Sequence, residues 1–492
     1  MKLVIGVDIG TTNIKVIACS AGRNTVYRAE IACETIQERP ELSEQDPVAV
    51  LHSVNKLLKE VFLQIPAGEI AAVSFSAAMH SIIAMDGEGN HLTHAILWGD
   101  TRSYREEKEL KASGEADRLY QRTGVPLHPS LPLCKIIWLK RNRPEIFDKT
   151  KKFISLKEYI FLKLFGVYVV DYAIAGATGM LNIHHLTWDE EALEAAGISS
   201  RYLSEVVPSI HAETVMLEPF RTELGLAKDI PFVIGSSDGC LANIGTGVLD
   251  ETKAALTIGT SGAVRTTLKL PHVNAEPSLF CYAVSKDLYV KGGAVNNGAF
   301  TLQWLIEDIF KQPLSNEVYA GLLNDAASIP AGSEGLIFLP YLKGERAPVW
   351  NARAKGVLFG LNSLHEQRHM VKAVLEGVGY SLYDVFCEMA GSEKSIREIY
   401  VSGGFIKSRL WVQVIADIFN KTIVVTDAAD ASAIGAAHIG FCFLNISDGM
   451  QELSGEAAAD QRFIPDRINH NIYMQCFLKY RSVYAALKNE FE

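Results

Sequence analysis

Residues 4–16, VIGVDIGTTNIKV, form two β-branched apolar runs separated by the turn Gly10-Thr11-Thr12. This pattern predicts two strands joined by a tight turn that presents hydroxyls and backbone N–H groups. Asp8 interrupts the first run, and a carboxylate at the end of a core strand is costly unless a partner compensates it. A metal ion beside a phosphate is one such partner. The stretch therefore indicates a phosphate-binding hairpin.

A second stretch repeats this pattern in the other half of the chain. Residues 253–265, KAALTIGTSGAVR, are again an apolar strand, a Gly-Thr turn with a further hydroxyl, and a second strand. A repeat of this kind indicates two related halves, which we place at 1–245 and 246–492. Two unrelated hairpins that share common turn residues would give the same pattern, so the repeat alone leaves that alternative open.

Composition limits the functional classes. The chain has 492 residues, 48% of them hydrophobic, and a formal net charge of −10 without a Lys/Arg cluster. We therefore expect a multidomain globular protein that does not bind nucleic acid through a basic surface. The eight Cys lack paired or metal-ligand spacing, which favours buried thiols in a reducing compartment. No signal peptide or apolar run of about 18 residues is found, so we expect a cytoplasmic protein without a membrane segment.

Strands alternate with helices along the chain, which predicts an α/β fold. Asp46-Pro47 is typical of a helix start, and the helix predicted from it spans 48–62. The polar segment 30–44 is interpreted as the lead into that helix. Further strands are predicted at 70–76 and 231–235.

Asp238 is the second strand-end carboxylate, since it follows the strand 231–235 and precedes Gly239 at a helix start. Phosphoryl transfer needs backbone N–H groups, hydroxyls, a metal and a group that orients the attacking hydroxyl. Asp238 suits the last role, although an Asp at that place is equally often a helix N-cap.

A serine hydrolase is an alternative from another class. Residues 235–239, GSSDG, match the G-x-S-x-G nucleophile elbow, with His438 or His470 as a downstream base. The motif is short, and it leaves both Gly-Thr hairpins unexplained.

Several motifs together resemble the FGGY carbohydrate kinases along the whole chain. Residues 130–142, SLPLCKIIWLKRN, are similar to the first family signature. The second signature is matched by GVLFGL at 356–361 with His369 and 373–376, AVLE. The two hairpins, 235–239 and Gly403-Gly404 fall in the family's order. The resemblance implies two actin-like (ribonuclease H-like) α/β domains with a nucleotide cleft between them.

The resemblance also implies roles for single residues. Asp8 would act on an Mg²⁺–phosphate group, and Asp238 would be the general base. Lys135 and Trp138 belong to a family signature; we expect them to be structural, with a role in the site as the alternative. The positions that the resemblance assigns to ATP are Thr11, Thr12, Gly259, Thr260, Gly298, Gly403, Gly404 and Ser408. A non-catalytic sugar- or nucleotide-binding module on the same fold is a further alternative, which intact Asp8 and Asp238 disfavour. A homodimer is plausible from the resemblance.

Two segments bear on the sugar. Met79-His80-Ser81 with 98–103, WGDTRS, looks most like the gluconate kinases, whereas xylulose kinases usually carry Met-His-Gly. A gluconate carboxylate needs a cation or several N–H donors. Arg102 and His80 are candidates, although Arg102 could equally pair with Asp100. The expected substrate-binding residues are Met79, His80, Ser81, Trp98, Asp100, Arg102 and Asp238.

Overall fold

The chain folds into two compact units. The first comprises Met1–Leu249, Thr267–Val290 and Asp430–Glu456, and the second Asp250–Thr266, Lys291–Ala429 and Ala457–Glu492. The computed structural model describes residues 2–22, 24–226, 228–389, 395–426, 430–446 and 461–491. None of the helices in these ranges has the length and hydropathy that a membrane crossing requires.

The first unit is built around a six-stranded sheet. Its strands are β1 (Leu3–Ile9), β2 (Asn13–Ser20), β3 (Thr25–Ala32), β5 (Ile70–Ala77), β13 (Ala212–Glu213) and β14 (Phe232–Ser237). The strand order is β13–β14–β5–β1–β2–β3. β1 pairs antiparallel with β2 and parallel with β5, and β14 also pairs parallel with β5. The carboxyl ends of β1, β5 and β14 therefore meet at one edge of the sheet.

Helices and short strand pairs surround this sheet. The helices are α1 (Pro47–Gln64), α2 (Tyr104–Ala112), α3 (Glu115–Thr123), α4 (Pro132–Asn142), α5 (Pro144–Phe147), α6 (Leu156–Phe165), α7 (Tyr172–Gly176), α8 (Glu190–Ala196), α9 (Glu218–Leu224) and α10 (Asp238–Gly245). The short strands are β4 (Glu44–Gln45), β6 (Ile83–Met85), β7 (Ala95–Ile96), β8 (Lys152–Ile154), β9 (Val169–Asp171), β10 (Leu181–Asn182), β11 (Thr187–Trp188) and β12 (Glu205–Val207).

Side-chain alternation along β1 decides where Asp8 lies. Leu3, Ile5 and Val7 belong to the main hydrophobic core together with residues of α1 and α6. The intervening residue Gly6 faces the other side, where a Cβ would lie 2.1 Å from the Ala433 carbonyl oxygen. Because successive side chains of a strand point to opposite faces, Asp8 continues the series of Gly6 and not the series of the apolar core.

Ala433 belongs to the helix α15, residues Ala431–Phe443, which packs on β1, β5 and α10. The two helices lie close together, because a Cβ at Gly435 would be 2.1 Å from the Leu241 carbonyl oxygen. The small residues of both helices make this approach possible.

Of two local expectations near β3 and α1, one agrees with the structure and the other does not. The helix start at Asp46 is confirmed, since its side chain accepts the Val48 N–H. The interpretation of 30–44 as a lead into that helix is wrong at its beginning, because residues 25–32 form β3. β3 pairs with β2 at the edge of the sheet and is mostly exposed or half-buried. Tyr27, Ala29 and Ile31 of β3 alternate with exposed charged residues, so the strand pattern is present in the sequence and the polar segment begins inside it.

The second unit has a sheet with the strand order β18–β16–β15–β21–β22–β23. β15 pairs antiparallel with β16 and parallel with β21, which repeats the pairing of β1 with β2 and β5. The strands from residue 253 onward are β15 (Lys253–Ile258), β16 (Gly262–Leu268), β17 (Phe280–Ser285), β18 (Leu288–Val295), β19 (Ile337–Leu339), β20 (Val357–Phe359), β21 (Glu398–Ser402), β22 (Thr422–Val425) and β23 (Gln461–Phe463).

The helices of the second unit are α11 (Phe300–Trp304), α12 (Asn316–Ala327), α13 (Gln367–Glu388), α14 (Arg409–Phe419) and α16 (Arg467–Leu487). A π-helical turn, Leu305–Ile309, follows α11. Together the two sheets and their helices are the α/β architecture that the alternation of strands and helices predicts.

Candidate active site

The parallel pairing of three strands brings two carboxylates to one edge of the first sheet. In this register Asp8 of β1 lies beside Ser76 of β5. On the other side of β5, Ser237 of β14 pairs with Ala77. Asp238 follows at once as the first residue of α10. Residues more than 200 positions apart in the sequence are therefore neighbours at the strand ends.

Asp8 carries a charge that its surroundings do not fully compensate. Burial raises its pKa to about 6, and the negative charges of Asp238 and Asp430 act in the same direction. The Ser76 hydroxyl donates a hydrogen bond of 2.7 Å to Oδ1 and opposes this shift. Lys15, opposite Asp8 on β2, also lowers the pKa. A cation bound at this edge would remove the remaining free-energy cost of ionising Asp8.

Asp238 does not act as the N-cap of its helix. The N-cap position of α10 belongs to Ser237, whose side chain makes no capping bond. Asp238 Oδ1 instead accepts the N–H of Gly239 at 2.6 Å. The Ser432 hydroxyl donates to the Asp238 carbonyl oxygen at 3.3 Å. The side chain of Asp238 is half-buried at the edge of the sheet.

The same geometry argues against a serine hydrolase. A nucleophile elbow exposes its serine on a sharp turn, whereas Ser237 lies inside β14 and is fully buried. His438 is buried in α15, with its Nε2 3.5 Å from the Cys442 Sγ. The G-x-S-x-G match therefore lacks the exposed nucleophile that this chemistry requires.

The segment Met79-His80-Ser81 follows β5 at this edge and is held in a defined conformation. His80 has a φ of 66°, in the left-handed region that side chains rarely adopt. Its Nδ1 donates to the Ala177 carbonyl oxygen at 2.7 Å. The Ser81 hydroxyl is buried and accepts the Leu156 N–H at 3.1 Å. Met79 is partly buried against apolar residues of α7 and its neighbours.

Lys135, a residue of the first signature, holds this segment in place through hydrogen bonds. Its Nζ donates to the His80 carbonyl oxygen at 2.8 Å and to the Leu97 carbonyl oxygen at 2.7 Å. Burial lowers the pKa of Lys135 to about 7. The side chain thereby ties the His80 segment to the Trp98–Arg102 segment, as expected for a structural signature residue.

The Trp98–Arg102 segment is in turn connected to the hairpin at residues 4–16. Arg102 donates to both carboxylate oxygens of Asp100, at 2.8 and 2.7 Å, and also to Glu44. The Arg102 guanidinium lies 5.1 Å from the centre of the Trp138 ring. Trp98 Nε1 donates to the Thr11 hydroxyl at 3.4 Å. The pairing of Arg102 with Asp100, one of the two roles open from the sequence, is therefore present.

In the second unit the Gly-Thr turn between β15 and β16 is closed like the first one. The Gly259 N–H donates to the Ser261 carbonyl oxygen at 2.8 Å, and the Gly10 N–H donates to Asn13 at 3.1 Å. Gly298 packs against this turn, where a Cβ would lie 2.5 Å from the Ser261 carbonyl oxygen. Only glycine allows this approach.

Gly403 follows β21, the strand next to β15. Its φ is 107°, and a Cβ would lie 2.3 Å from the Ile258 carbonyl oxygen. Thr257 and Ser402 at the ends of the two strands have their hydroxyls 3.1 Å apart. The positions predicted for ATP binding at 259–260 and 403–404 thus lie at the carboxyl ends of adjacent parallel strands.

A cavity of about 1060 Å³ opens beside these strand ends, within the second unit. Three predicted nucleotide residues line it, namely Thr260, Gly404 and Ser408. Ser408 also caps α14, because its hydroxyl accepts the Trp411 N–H at 3.2 Å. Sequence reasoning missed the other lining residues, which include Phe300, Gln303, Asn316, Tyr319, Asn324 and Arg409. Most of them lie on α11 and α12. In the sequence, Ser315 as a helix N-cap could have indicated where α12 begins.

The donor set fits a magnesium ion that arrives with a nucleotide. No group of three or more His, Cys, Asp or Glu side chains arranged for a metal is found among the described residues. Mg²⁺ is usually held by one or two carboxylates, with phosphate oxygens and waters as its other ligands. Asp8, with its raised pKa, is a carboxylate of this kind.

Comparisons with known proteins give the family. Residues 3–245 match the N-terminal domain, and residues 254–443 the C-terminal domain, of the FGGY family of carbohydrate kinases. A gluconokinase from Bacillus subtilis is 36% identical over 99% of this chain and 96% of its own length. A xylulose kinase from Staphylococcus epidermidis is 30% identical over 99% of this chain and 97% of its own length.

Two solved structures from Lactobacillus acidophilus have the same fold over nearly the whole chain. A ligand-bound xylulose kinase has a TM-score of 0.95 and 33% identity, covering 100% of this chain and 99% of its own. A gluconate kinase has a TM-score of 0.94 and 34% identity, covering 99% of this chain and 98% of its own.

Proposed function

The chain belongs to the FGGY family of carbohydrate kinases, and from this premise we propose that it phosphorylates gluconate to 6-phosphogluconate. The enzymes of this family use ATP as the phosphoryl donor, typically with Mg²⁺. The chain is thus a carbohydrate kinase, and its sugar, its general base and the roles of its site residues are the proposed part.

The identity of the sugar rests on one observation above all. The gluconokinase from Bacillus subtilis is 36% identical over the full length, against 30% for the xylulose kinase from Staphylococcus epidermidis. The Met79-His80-Ser81 segment with WGDTRS at 98–103 agrees with this difference. Fold similarity does not separate the two sugars, because the two Lactobacillus structures have nearly equal TM-scores.

In the proposed reaction the two strand-end carboxylates have different tasks. Asp238 accepts the proton of the sugar hydroxyl as that hydroxyl attacks the γ-phosphorus of ATP. Asp8, with Thr11 and Thr12, would hold the Mg²⁺–phosphate group, and ADP leaves as the γ-phosphoryl group passes to the sugar oxygen. A bound Mg²⁺ would supply neutralisation of the phosphate charge. The different hydrogen bonds support this division. Asp8 accepts a hydrogen bond from the Ser76 hydroxyl, and Asp238 accepts the N–H of its neighbour Gly239.

The nucleotide residues of the second unit complete this proposal. Thr260, Gly404 and Ser408 line the cavity of about 1060 Å³, which has room for a nucleoside. Gly259, Gly298 and Gly403 shape the strand ends beside it. We propose that the adenosine part of ATP binds in this cavity.

The sugar would bind along the two segments that Lys135 joins. These proposed substrate-side residues are Met79, His80, Ser81, Trp98, Asp100 and Arg102. Arg102 already binds Asp100 and Glu44, so we propose that it keeps Trp98 and Asp100 in place beside the sugar. His80 and backbone N–H groups are then the candidates for the gluconate carboxylate.

A coupled ADP-release assay over gluconate, xylulose, ribulose and glycerol tests the proposal. We expect gluconate to have the highest kcat/KM, and a 6-phosphogluconate dehydrogenase added to the assay to reduce NADP⁺ in step with ADP release. A mock purification from cells that do not express the protein is the control for contaminating kinases. Preference for xylulose would contradict gluconate but keep the kinase function. Sugar binding without ADP release would instead indicate a non-catalytic binding module. The homodimer and the cytoplasmic location stay predictions.

A further inference from the structure

Lys157 and Asp171 form an ion pair in the interior of the first unit, to which the proposed mechanism gives no role. The Lys157 Nζ lies 2.6 Å from the Asp171 Oδ2, and neither side chain is exposed to solvent. Removing two charges from water is costly, and apolar residues of the same volume often stabilise a protein equally well. The contacts of the pair with the proposed site offer a reason for its presence.

One contact leads to the proposed base. The Lys157 Nζ donates a hydrogen bond of 3.0 Å to the carbonyl oxygen of Ser236, two residues before Asp238. The pairing of β14 with β5 changes register between Val233 and Ser236. A strand end with an irregular ladder has fewer regular hydrogen bonds to fix it. The Lys157 ammonium group, on the neighbouring helix α6, supplies an additional hydrogen bond to this strand end.

Two further contacts lead to the proposed sugar segment. Asp171 Oδ1 accepts two N–H groups at the start of α7. Ala177 follows this five-residue helix, and its carbonyl oxygen accepts a hydrogen bond of 2.7 Å from His80 Nδ1. Leu156, the residue before the lysine, donates its N–H to the Ser81 hydroxyl. His80 and Ser81 are therefore connected to the same ion pair as Asp238.

We propose that Lys157 and Asp171 are positioning residues, which keep Asp238 in register with the His80-Ser81 segment. This inference rests on the proposed function, because it requires Asp238 to act on a hydroxyl that is bound beside that segment. A misplacement of about 1 Å can lower a rate by about 10²-fold. Removal of the pair should therefore act on the chemical step.

The double variant Lys157→Met/Asp171→Asn tests this role. It removes both charges together, and Asn caps a helix as well as Asp does. We expect kcat for the best sugar to fall by about 10²-fold, with KM for MgATP within about twofold of the wild type. The nucleotide cavity lies in the second unit, so the nucleotide should bind as before.

A matched control exists in the same unit. Asp189 also caps a helix, α8, and its buried carboxylate pairs with Arg122 at 2.9 Å. Arg122→Met/Asp189→Asn likewise removes an ion pair that includes a helix cap, and its kcat per folded molecule should stay within about threefold of the wild type. The folded fraction is measured by circular dichroism, so that lost protein is not counted as lost activity.

Two results would overturn the proposal: a kcat of the Lys157/Asp171 variant within threefold of the wild type, or an equal loss in the control.

If the double variant does not fold, the single variant Asp171→Asn is used for the test. Its kcat should then be at least threefold lower with an unchanged KM for MgATP, and an unchanged kcat would overturn the proposal. All variants are compared on whichever sugar the wild type prefers. If the wild type prefers a sugar other than gluconate, the proposed function is contradicted, but the test of Lys157 and Asp171 still proceeds on the preferred sugar.

Discussion

Asp8 and Asp238 lie at the carboxyl ends of two strands, β1 and β14, that pair with opposite sides of the same strand, β5. The charge of Asp238 contributes to raising the pKa of Asp8 to about 6. Two carboxylates at one sheet edge repel each other unless a cation or a proton lies between them. The edge is thus suited to a substrate that brings Mg²⁺ with it.

Asp238→Asn removes the proposed base and keeps the size of the side chain. We expect kcat to fall by about 10²–10⁴-fold, because general base catalysis contributes that much. KM for MgATP should change little. ADP release with saturating sugar measures the effect.

Asp46→Asn is the matched control for this substitution. Asp46 caps α1 by accepting the Val48 N–H, a role that Asn fills equally well. Its kcat should equal that of the wild type. An Asp238→Asn enzyme with nearly full turnover on the true substrate would show that the base is assigned wrongly.

Asp8→Asn should stabilise the ligand-free protein at pH 8. An acid whose folded-state pKa is raised from 3.8 to about 6 favours the folded state when protonated. That contribution is fully present below pH 3.8 and is lost as the pH rises through about 6. The ionised carboxylate then disfavours folding by up to about 3 kcal/mol, a penalty that the amide avoids.

Calorimetry in a chelating buffer measures this difference as a higher Tm of Asp8→Asn at pH 8, which shrinks toward pH 4. The variant should also have a much lower kcat, because it loses the carboxylate proposed for Mg²⁺. A lower Tm of the variant at pH 8 would contradict the uncompensated charge at this position.

Ser81→Gly tests whether this serine selects the sugar directly. Its buried hydroxyl accepts the Leu156 N–H at the start of α6. Loss of a buried hydrogen-bond partner costs about 1–3 kcal/mol, so Tm should fall. Because Ser81 is one of the proposed substrate-side residues, we expect kcat/KM to fall further for gluconate than for xylulose.

Ser81→Thr keeps the hydroxyl and is the control, with a smaller change in Tm expected. The ratio of the two kcat/KM values is the decisive measurement. An unchanged ratio would contradict a direct contact of Ser81 with the sugar and would leave only its hydrogen bond from the Leu156 N–H.

Gly298→Ala should weaken nucleotide binding. The added methyl group would lie 2.5 Å from the Ser261 carbonyl oxygen and 2.6 Å from that of Gly259, so the Gly-Thr turn has to move. We expect KM for MgATP to rise at least tenfold, about 1.4 kcal/mol, while KM for the sugar stays within about twofold.

Gly321→Ala on α12 is the control, because a Cβ there meets no atom within 4 Å. Alanine favours a helix over glycine by about 0.5–1 kcal/mol, so this variant should be slightly more stable and equally active. Isothermal titration with ATP separates the two variants. Equal affinities would mean that the turn beside Gly298 does not bind the nucleotide.

Local sequence determined the elements that carry the chemistry. The hairpins at 4–16 and 253–265 form as predicted, because β-branched runs around a Gly-Thr turn specify two strands without distant contacts. The order of several motifs was sufficient for the family, which the matches over residues 3–245 and 254–443 confirm. The prediction missed the cavity residues on α12, which have no distinctive local pattern. It also missed the edge strand β3, although Tyr27, Ala29 and Ile31 alternate there with exposed residues.

Tertiary structure alone decided which of these elements meet. The sequence left open whether Asp238 is an N-cap and whether Arg102 pairs with Asp100. In the structure Ser237 occupies the N-cap position, and Arg102 donates a hydrogen bond to Asp100. The register that brings Asp8 beside Ser76 arises from parallel pairing of strands far apart in the chain. Such pairings depend on long-range packing and not on the residues next to each strand, so a single sequence shows the carboxylates but not their common edge.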